Sequence, residues 1–154
     1  MSYSAKAVAN AFLDLAQERG RSLTNMGLQK LVYIAHGYYL GSNNRPLFDD
    51  EVEAWQYGPV IPTLYNTLKC YGAEVVTERI PILFDIAPNG PGMGTIRGVW
   101  KTYGGYSASQ LSSITHKQGS PWQQVWNGTR NTVIPNRIIA DYYRNLINES
   151  RADR

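Results

Sequence analysis

Three side chains in this 154-residue sequence carry the thiol or imidazole chemistry used in nucleophilic catalysis or zinc binding: His36, Cys70 and His116. No two of them lie at the short spacing of a zinc motif, so no structural metal is expected. His36 follows Ala35 on an apolar helical stripe and reads as a structural histidine. His116 falls at a helix end, where its ring N–H or charge can serve unpaired carbonyls. Cys70 lies on a helix, where a lone cysteine reads more readily as a small buried hydrophobe than as a nucleophile. The competing reading is a small hydrolase in which His116 works with Cys70 or with an acidic residue, and it needs those side chains to converge. The acidic run of Asp49, Asp50, Glu51 and Glu53 has no second acidic cluster to complete acid–base or Mg²⁺ chemistry. It reads as a solvated edge, with a patch for a basic partner as the alternative. Gly90-Pro91-Gly92-Met93-Gly94 lacks the lysine of a phosphate loop. No cofactor is implied, and the chain is not expected to be an enzyme.

The elements that must position these groups are mostly helical. Val8, Phe12, Leu15 and Ala16 form one stripe between Ser4 and Gly20. A second helix starts at Thr24, a good N-cap, and carries Leu28, Leu31, Val32, Ala35, Tyr38 and Tyr39, with Gly41 expected to end it. These two amphipathic helices are expected to pack as an antiparallel pair. Val52 to Tyr57 alternates as an extended segment does, with Glu51, Glu53, Trp55 and Tyr57 on one face and Val52 and Ala54 on the other. Gly58-Pro59 is expected to break the chain sharply, and Pro62 to open a helix through Leu64, Leu68 and Tyr71 that Gly72 ends. Residues near 80–95 read as an irregular Pro/Gly-rich surface loop, and Pro88 to Gly94 is expected to hold no regular structure. Helical spacing resumes at Ile96, Val99, Trp100 and Tyr103. Ser107 with Gln110 makes a capping box, Ser120-Pro121 opens a further helix, and a last one starts near Pro135. The expected fold is therefore mainly α: one compact domain over 1–154, of six or seven short helices with a small β element around residues 51–57.

Composition sets the class. Hydrophobic residues make up 43% and charged residues 18%, which suits a folded globular chain. Eleven tyrosines raise the prior for a contact surface. One cysteine permits no internal disulfide, the start of the chain lacks a signal-like apolar run, and no stretch is long and apolar enough to span a bilayer, so a cytoplasmic address is expected. Net charge is +3 with scattered basic residues, the nearest cluster being Arg144, Arg151 and Arg154. Nucleic-acid binding needs several basic groups on one face, so a regulator bound to nucleic acid ranks behind a charged solvated surface.

Two stretches resemble a known family. One runs from Leu28-Gln29-Lys30-Leu31-Val32-Tyr33-Ile34-Ala35-His36 to Glu53-Ala54-Trp55-Gln56-Tyr57-Gly58-Pro59-Val60-Ile61-Pro62-Thr63-Leu64-Tyr65. The other is Ser107 to His116 followed by Gly119-Ser120-Pro121-Trp122. Together they resemble the SocA-like antitoxin domain, also called Panacea, which phage- and prophage-borne proteins labelled GepA also carry. The resemblance implies an antitoxin of a type II toxin–antitoxin system that neutralises a cognate protein toxin by direct binding. Its further implication is a AAA+ protease as a second partner, for which the antitoxin acts as an adaptor; that no membrane is involved is expected from the lack of a spanning apolar stretch. It leaves oligomeric state open, a homo-oligomer included. The residues it singles out for partner binding or the family motif are Trp55, Tyr57, Gly58, Pro59, Tyr65, His116 and Trp122. A rigid turn displaying aromatics can be a core anchor or an interface hot spot. Average burial favours the anchor for Trp55 and Trp122 and leaves Tyr57 between the two. His116 is expected to join Trp55 or Tyr57 in a contact that ties the two stretches together.

Overall fold

The computed structural model describes residues 2–129 and 132–152. Seven α-helices, one 3-10 turn and three short strands follow in the order α1 (Ala5–Glu18), α2 (Asn25–Asn43), β1 (Glu53–Trp55), β2 (Gly58–Val60), α3 (Pro62–Leu68), the 3-10 turn (Lys69–Tyr71), α4 (Met93–Tyr103), α5 (Ala108–Thr115), α6 (Pro121–Val125), β3 (Thr132–Val133) and α7 (Asn136–Ala152). The mainly helical expectation with a small β element is met. Arg154, the last of the basic C-terminal cluster, lies outside the described residues.

Local sequence chemistry explains most helix ends. Ser4, Thr24, Ser107 and Ser120 each accept a backbone N–H from the first turn of the helix they open. The Ser107–Gln110 capping box is complete in both directions. Asp50 accepts from Ala5 N at 2.9 Å, adding a carboxylate at the positive end of α1, and also holds Thr63 Oγ1. Asp49 accepts from Ser2 Oγ at 2.6 Å. Asp49 and Asp50 are thus tied into the fold rather than left as a solvated edge.

Helix α2 is the axis of the molecule, with α1, α3, α4, α5, α7 and β2 packed around it. It is not amphipathic. From Leu28 to Ala35 every residue is 2% exposed or less, including Gln29 and Lys30. Its glycines do not end it either. Helix α2 runs past Gly41 to Asn43, and Asn44 at φ 55° supplies the left-handed cap. Gly37 and Gly41 instead admit α7. A Cβ on Gly37 would fall 2.3 Å from the Tyr143 ring, and one on Gly41 2.8 Å from the backbone N of Arg144. The main partner of α2 is therefore α7, more than the antiparallel α1 expected from the short linker.

The β element is larger than the sequence suggested. The antiparallel hairpin pairs Glu53 with Val60, Ala54 with Pro59 and Trp55 with Gly58, and β3 pairs on the far side of β1, giving the order β2-β1-β3. The turn is Gln56-Tyr57, so Gly58-Pro59 is the start of the returning strand and not the break. The two-faced pattern holds: Val52 and Ala54 are buried, while Glu51 and Tyr57 are exposed and Glu53 and Trp55 half-buried. Between Gly72 and Gly92 no helix or strand forms, but the segment is anchored. Val76 and Ile80 enter the core, and Arg79 pairs with Asp14 and Asp85. Met93 and Gly94, expected to be irregular, form the first turn of α4.

Candidate functional site

The hairpin is gripped from behind by side chains of three helices. From α2, Lys30 donates its ammonium to the Pro59 carbonyl at 2.7 Å, and Gln29 accepts from Ile61 N at 2.9 Å. From α5, Ser112 donates Oγ–H to the Tyr57 carbonyl at 2.7 Å. From α6, the Trp122 indole N–H donates to the Trp55 carbonyl. Backbone groups of a short edge hairpin, turned toward the core, would otherwise be left without partners at a cost of about 1–3 kcal/mol each. Gln29 is held in turn by Asn25 Oδ1 at 3.2 Å. Gly58 serves this grip in two ways. Its φ is +117°, a conformation L side chains rarely adopt, and a Cβ there would stand 3.2 Å from Lys30 Nζ.

His116 ties the two stretches together through Ser112 and Trp122, and not through Trp55 or Tyr57 directly. Its backbone N–H closes α5 onto Ser112 O, its Nδ1 meets the same carbonyl, and its ring lies edge-on to Trp122 with centroids 5.3 Å apart and planes at 72°. The capping role read from its position is therefore observed. Cys70 is exposed in the 3-10 turn, and no hydrogen bond joins it to His116 among the described residues. The sequence expectation that Cys70 is buried is not met: its helix ends as the exposed 3-10 turn.

The outward face of the same hairpin is aromatic. Trp55 packs edge-on against Tyr65 of α3, centroids 4.9 Å apart at 66°, and donates its indole N–H to Glu53 at 2.9 Å. Tyr57, at the turn, is 63% exposed. Trp122 is buried and stacks on Trp126, centroids 5.5 Å apart at 17°. Trp55, Tyr57, Tyr65 and Trp126 border a groove of about 1160 Å³, whose other walls are the start of α2 at Thr24 to Met26 and the turn at Lys69. Lys30 reaches its floor.

Of the residues singled out from the sequence, Trp55, Tyr57 and Tyr65 line the groove. Gly58, Pro59, His116 and Trp122 build the support behind it. Gln29 and Lys30 were not singled out as site residues. The signal was two long polar side chains inside an otherwise apolar helical run. Burial pushes the Lys30 amine down to about 7, with no acidic side chain among the described residues to support its charge.

Among the described residues, no group of three or more His, Cys, Asp or Glu is placed to hold a metal ion. No helix of the described residues is long and apolar enough to cross a membrane.

The family described as "Antitoxin SocA-like, Panacea domain" matches residues 28–83, a span that includes Gln29, Lys30 and the whole hairpin. Antitoxin SocA of Caulobacter vibrioides (strain NA1000 / CB15N) is 33% identical over 157 residues, covering 93% of this chain and 84% of that protein. No solved structure matches the chain. The similarity extends well past the matched span, through the α5 and α6 residues that grip the hairpin, and the chain belongs to the SocA-like, Panacea-domain antitoxin family.

Proposed function

We propose that the protein neutralises a protein toxin by direct contact, as the antitoxin of a type II pair, through the aromatic face of the Trp55–Tyr57 hairpin and Tyr65. The observation that carries this reading is Tyr57. It stands 63% exposed at the tip of a hairpin whose backbone is bonded from α2, α5 and α6. A tyrosine on a rigid mount loses little conformational entropy on binding, which is the property of an interface hot spot.

The test is co-expression with the product of the adjacent gene. Growth rescue together with a co-purifying complex supports the reading; a toxic neighbour that is neither bound nor neutralised overturns it. Tyr57→Ala leaves stability within about 0.5 kcal/mol, because the side chain is exposed. It weakens the complex by about 2 kcal/mol or more, roughly thirtyfold. Delivery of the bound toxin to a AAA+ protease, the adaptor form of this reading, is scored by toxin half-life in cells with and without that protease.

A further inference from the structure

Lys30 is out of place by the ordinary rules of stability. It is 1% exposed in the central helix, and among the described residues its one hydrogen bond is to the Pro59 carbonyl. An ammonium has three N–H donors, so two are left over. Among the described residues no carboxylate lies near enough to stabilise its charge, in contrast to buried His36, which feels both Asp49 and Asp50. Burying an amine this way is costly, and a methionine or leucine would fill the same volume without that cost. The hairpin carbonyl alone is a weak reason to keep a charge-bearing group there.

The surroundings supply a better one. Lys30 forms part of the floor of the groove, and Lys69 is exposed at its rim. No aspartate or glutamate is among the described residues lining it, and the carboxylate in the hairpin, Glu53, is engaged by the Trp55 indole. The positive end of α2, a helix of 19 residues, opens into the same space at Asn25 and Met26. The rest of the wall mixes aromatic and aliphatic side chains with the neutral polar Thr24, Asn25, Gln29 and Gln56, and it is partly open to solvent: Met26 is 42% exposed and Tyr57 63%. Exposed apolar surface surrounding uncompensated positive charge is complementary to one kind of occupant.

We propose that this groove receives a segment of a partner polypeptide in which an aspartate or glutamate is flanked by apolar or aromatic residues, its carboxylate pairing with Lys30 at the floor and with Lys69 at the rim. The idea rests on the hairpin face being the toxin-contacting face, and it names the chemistry recognised there. The carboxylate would supply the counter-charge that the fold withholds from Lys30. Because burial alone holds that amine near neutrality, an arriving anion favours its charged form. The aromatic walls then exclude water from the pair.

The experiment selects binders to the full chain from a random peptide library. It then measures the affinity of the enriched peptides and of versions in which each Asp or Glu is replaced by Asn or Gln. Enriched peptides are expected to carry an acidic residue beside aromatic or aliphatic ones, to shift the indole N–H signals of Trp55 and Trp126, and to lose about tenfold or more in affinity as amides. Lys30→Met loses a similar factor, and Lys69→Glu, a change at an exposed site, loses several-fold. If Lys30→Met does not fold, the acid-to-amide comparison on the unmodified protein decides. No enrichment over bare support, enrichment without acidic residues, or equal binding of the amides overturns the proposal. So does self-association that buries the two indoles, which would assign the groove to a second copy. Toxin rescue without acid preference sinks this inference and leaves neutralisation standing; absence of rescue sinks neutralisation by itself.

Discussion

His36 sits fully buried in the middle of α2, stacked on Phe48 with ring centroids 4.1 Å apart and its Nε2 3.0 Å from Asn136 Oδ1. The other ring nitrogen has no partner and no access to water. Burial lowers its pKa to about 4, against the opposing pull of Asn136, Asp50 and Asp49. The unfolded chain takes up a proton as pH falls through about 6.5, while the folded protein does not until about 4. His36 therefore contributes stability in full above pH 6.5 and loses it as pH falls toward 4, by roughly 3 kcal/mol. Urea midpoints measured across that window should converge between wild type and His36→Gln at the acidic end; parallel curves would refute the assignment. A second residue-scale outcome concerns the grip on the hairpin. Trp122→Phe keeps the ring beside His116 and removes the N–H that Trp55 O accepts. It should cost about 1–3 kcal/mol in denaturant unfolding and broaden the Tyr57 signals, which Ser112→Ala should also do.

At the scale of elements, the glycines of α2 and α4 look alike in the sequence and do opposite things. Gly37 lies where the Tyr143 ring of α7 presses on α2, so Gly37→Ala forces a buried ring aside. Overpacking of this kind costs about 1–3 kcal/mol, more than the helix propensity gained. Gly98 in α4 is exposed, with nothing within 4 Å of a would-be Cβ. Gly98→Ala should stabilise by about 0.5–1 kcal/mol. Opposite shifts of the denaturation midpoint for the pair check the packing of α7 on α2; shifts of the same sign contradict it. The capping serines, the proline openers and the alternation of Val52 to Tyr57 were legible because each depends on residues within one turn or one strand. The true end of α2, the place of Gly58-Pro59 and the start of α4 were not, because α7, Lys30 and the core decide them from far along the chain.

For the whole molecule, the segment between Gly72 and Gly92 is the part least supported by regular structure, and Asn10 adds to the anchors that Val76, Ile80 and Arg79 provide. Asn10, 1% exposed in α1, donates to Ile80 O at 2.8 Å and accepts from Ile80 N at 2.7 Å, bonding as a neighbouring strand would. Asn10→Ala leaves two buried backbone groups unmet and should cost roughly 2–4 kcal/mol. Limited proteolysis should then cut within residues 73–92 before the helices are attacked; unchanged cleavage would show that Val76, Ile80 and the Arg79 ion pairs hold the segment without Asn10. Leu83 and Phe84 in the same segment are 92% and 83% exposed, so their replacement by serine should leave stability unchanged.

The sequence by itself determined the helical class, the helix starts other than that of α4, the two-faced hairpin strand and the family resemblance, because these rest on local periodicity, capping chemistry and short motifs. It also placed His116 at a helix end, where it is observed. Only the tertiary structure decided that α2 is buried on every side from Leu28 to Gly37, that Gln29, Lys30, Ser112 and Trp122 converge on one hairpin, and that Trp55 and Tyr57 are thereby turned toward a groove. Those relations join residues up to 67 positions apart. No periodicity reports them; they follow from the need to satisfy every buried backbone group once the helices have packed.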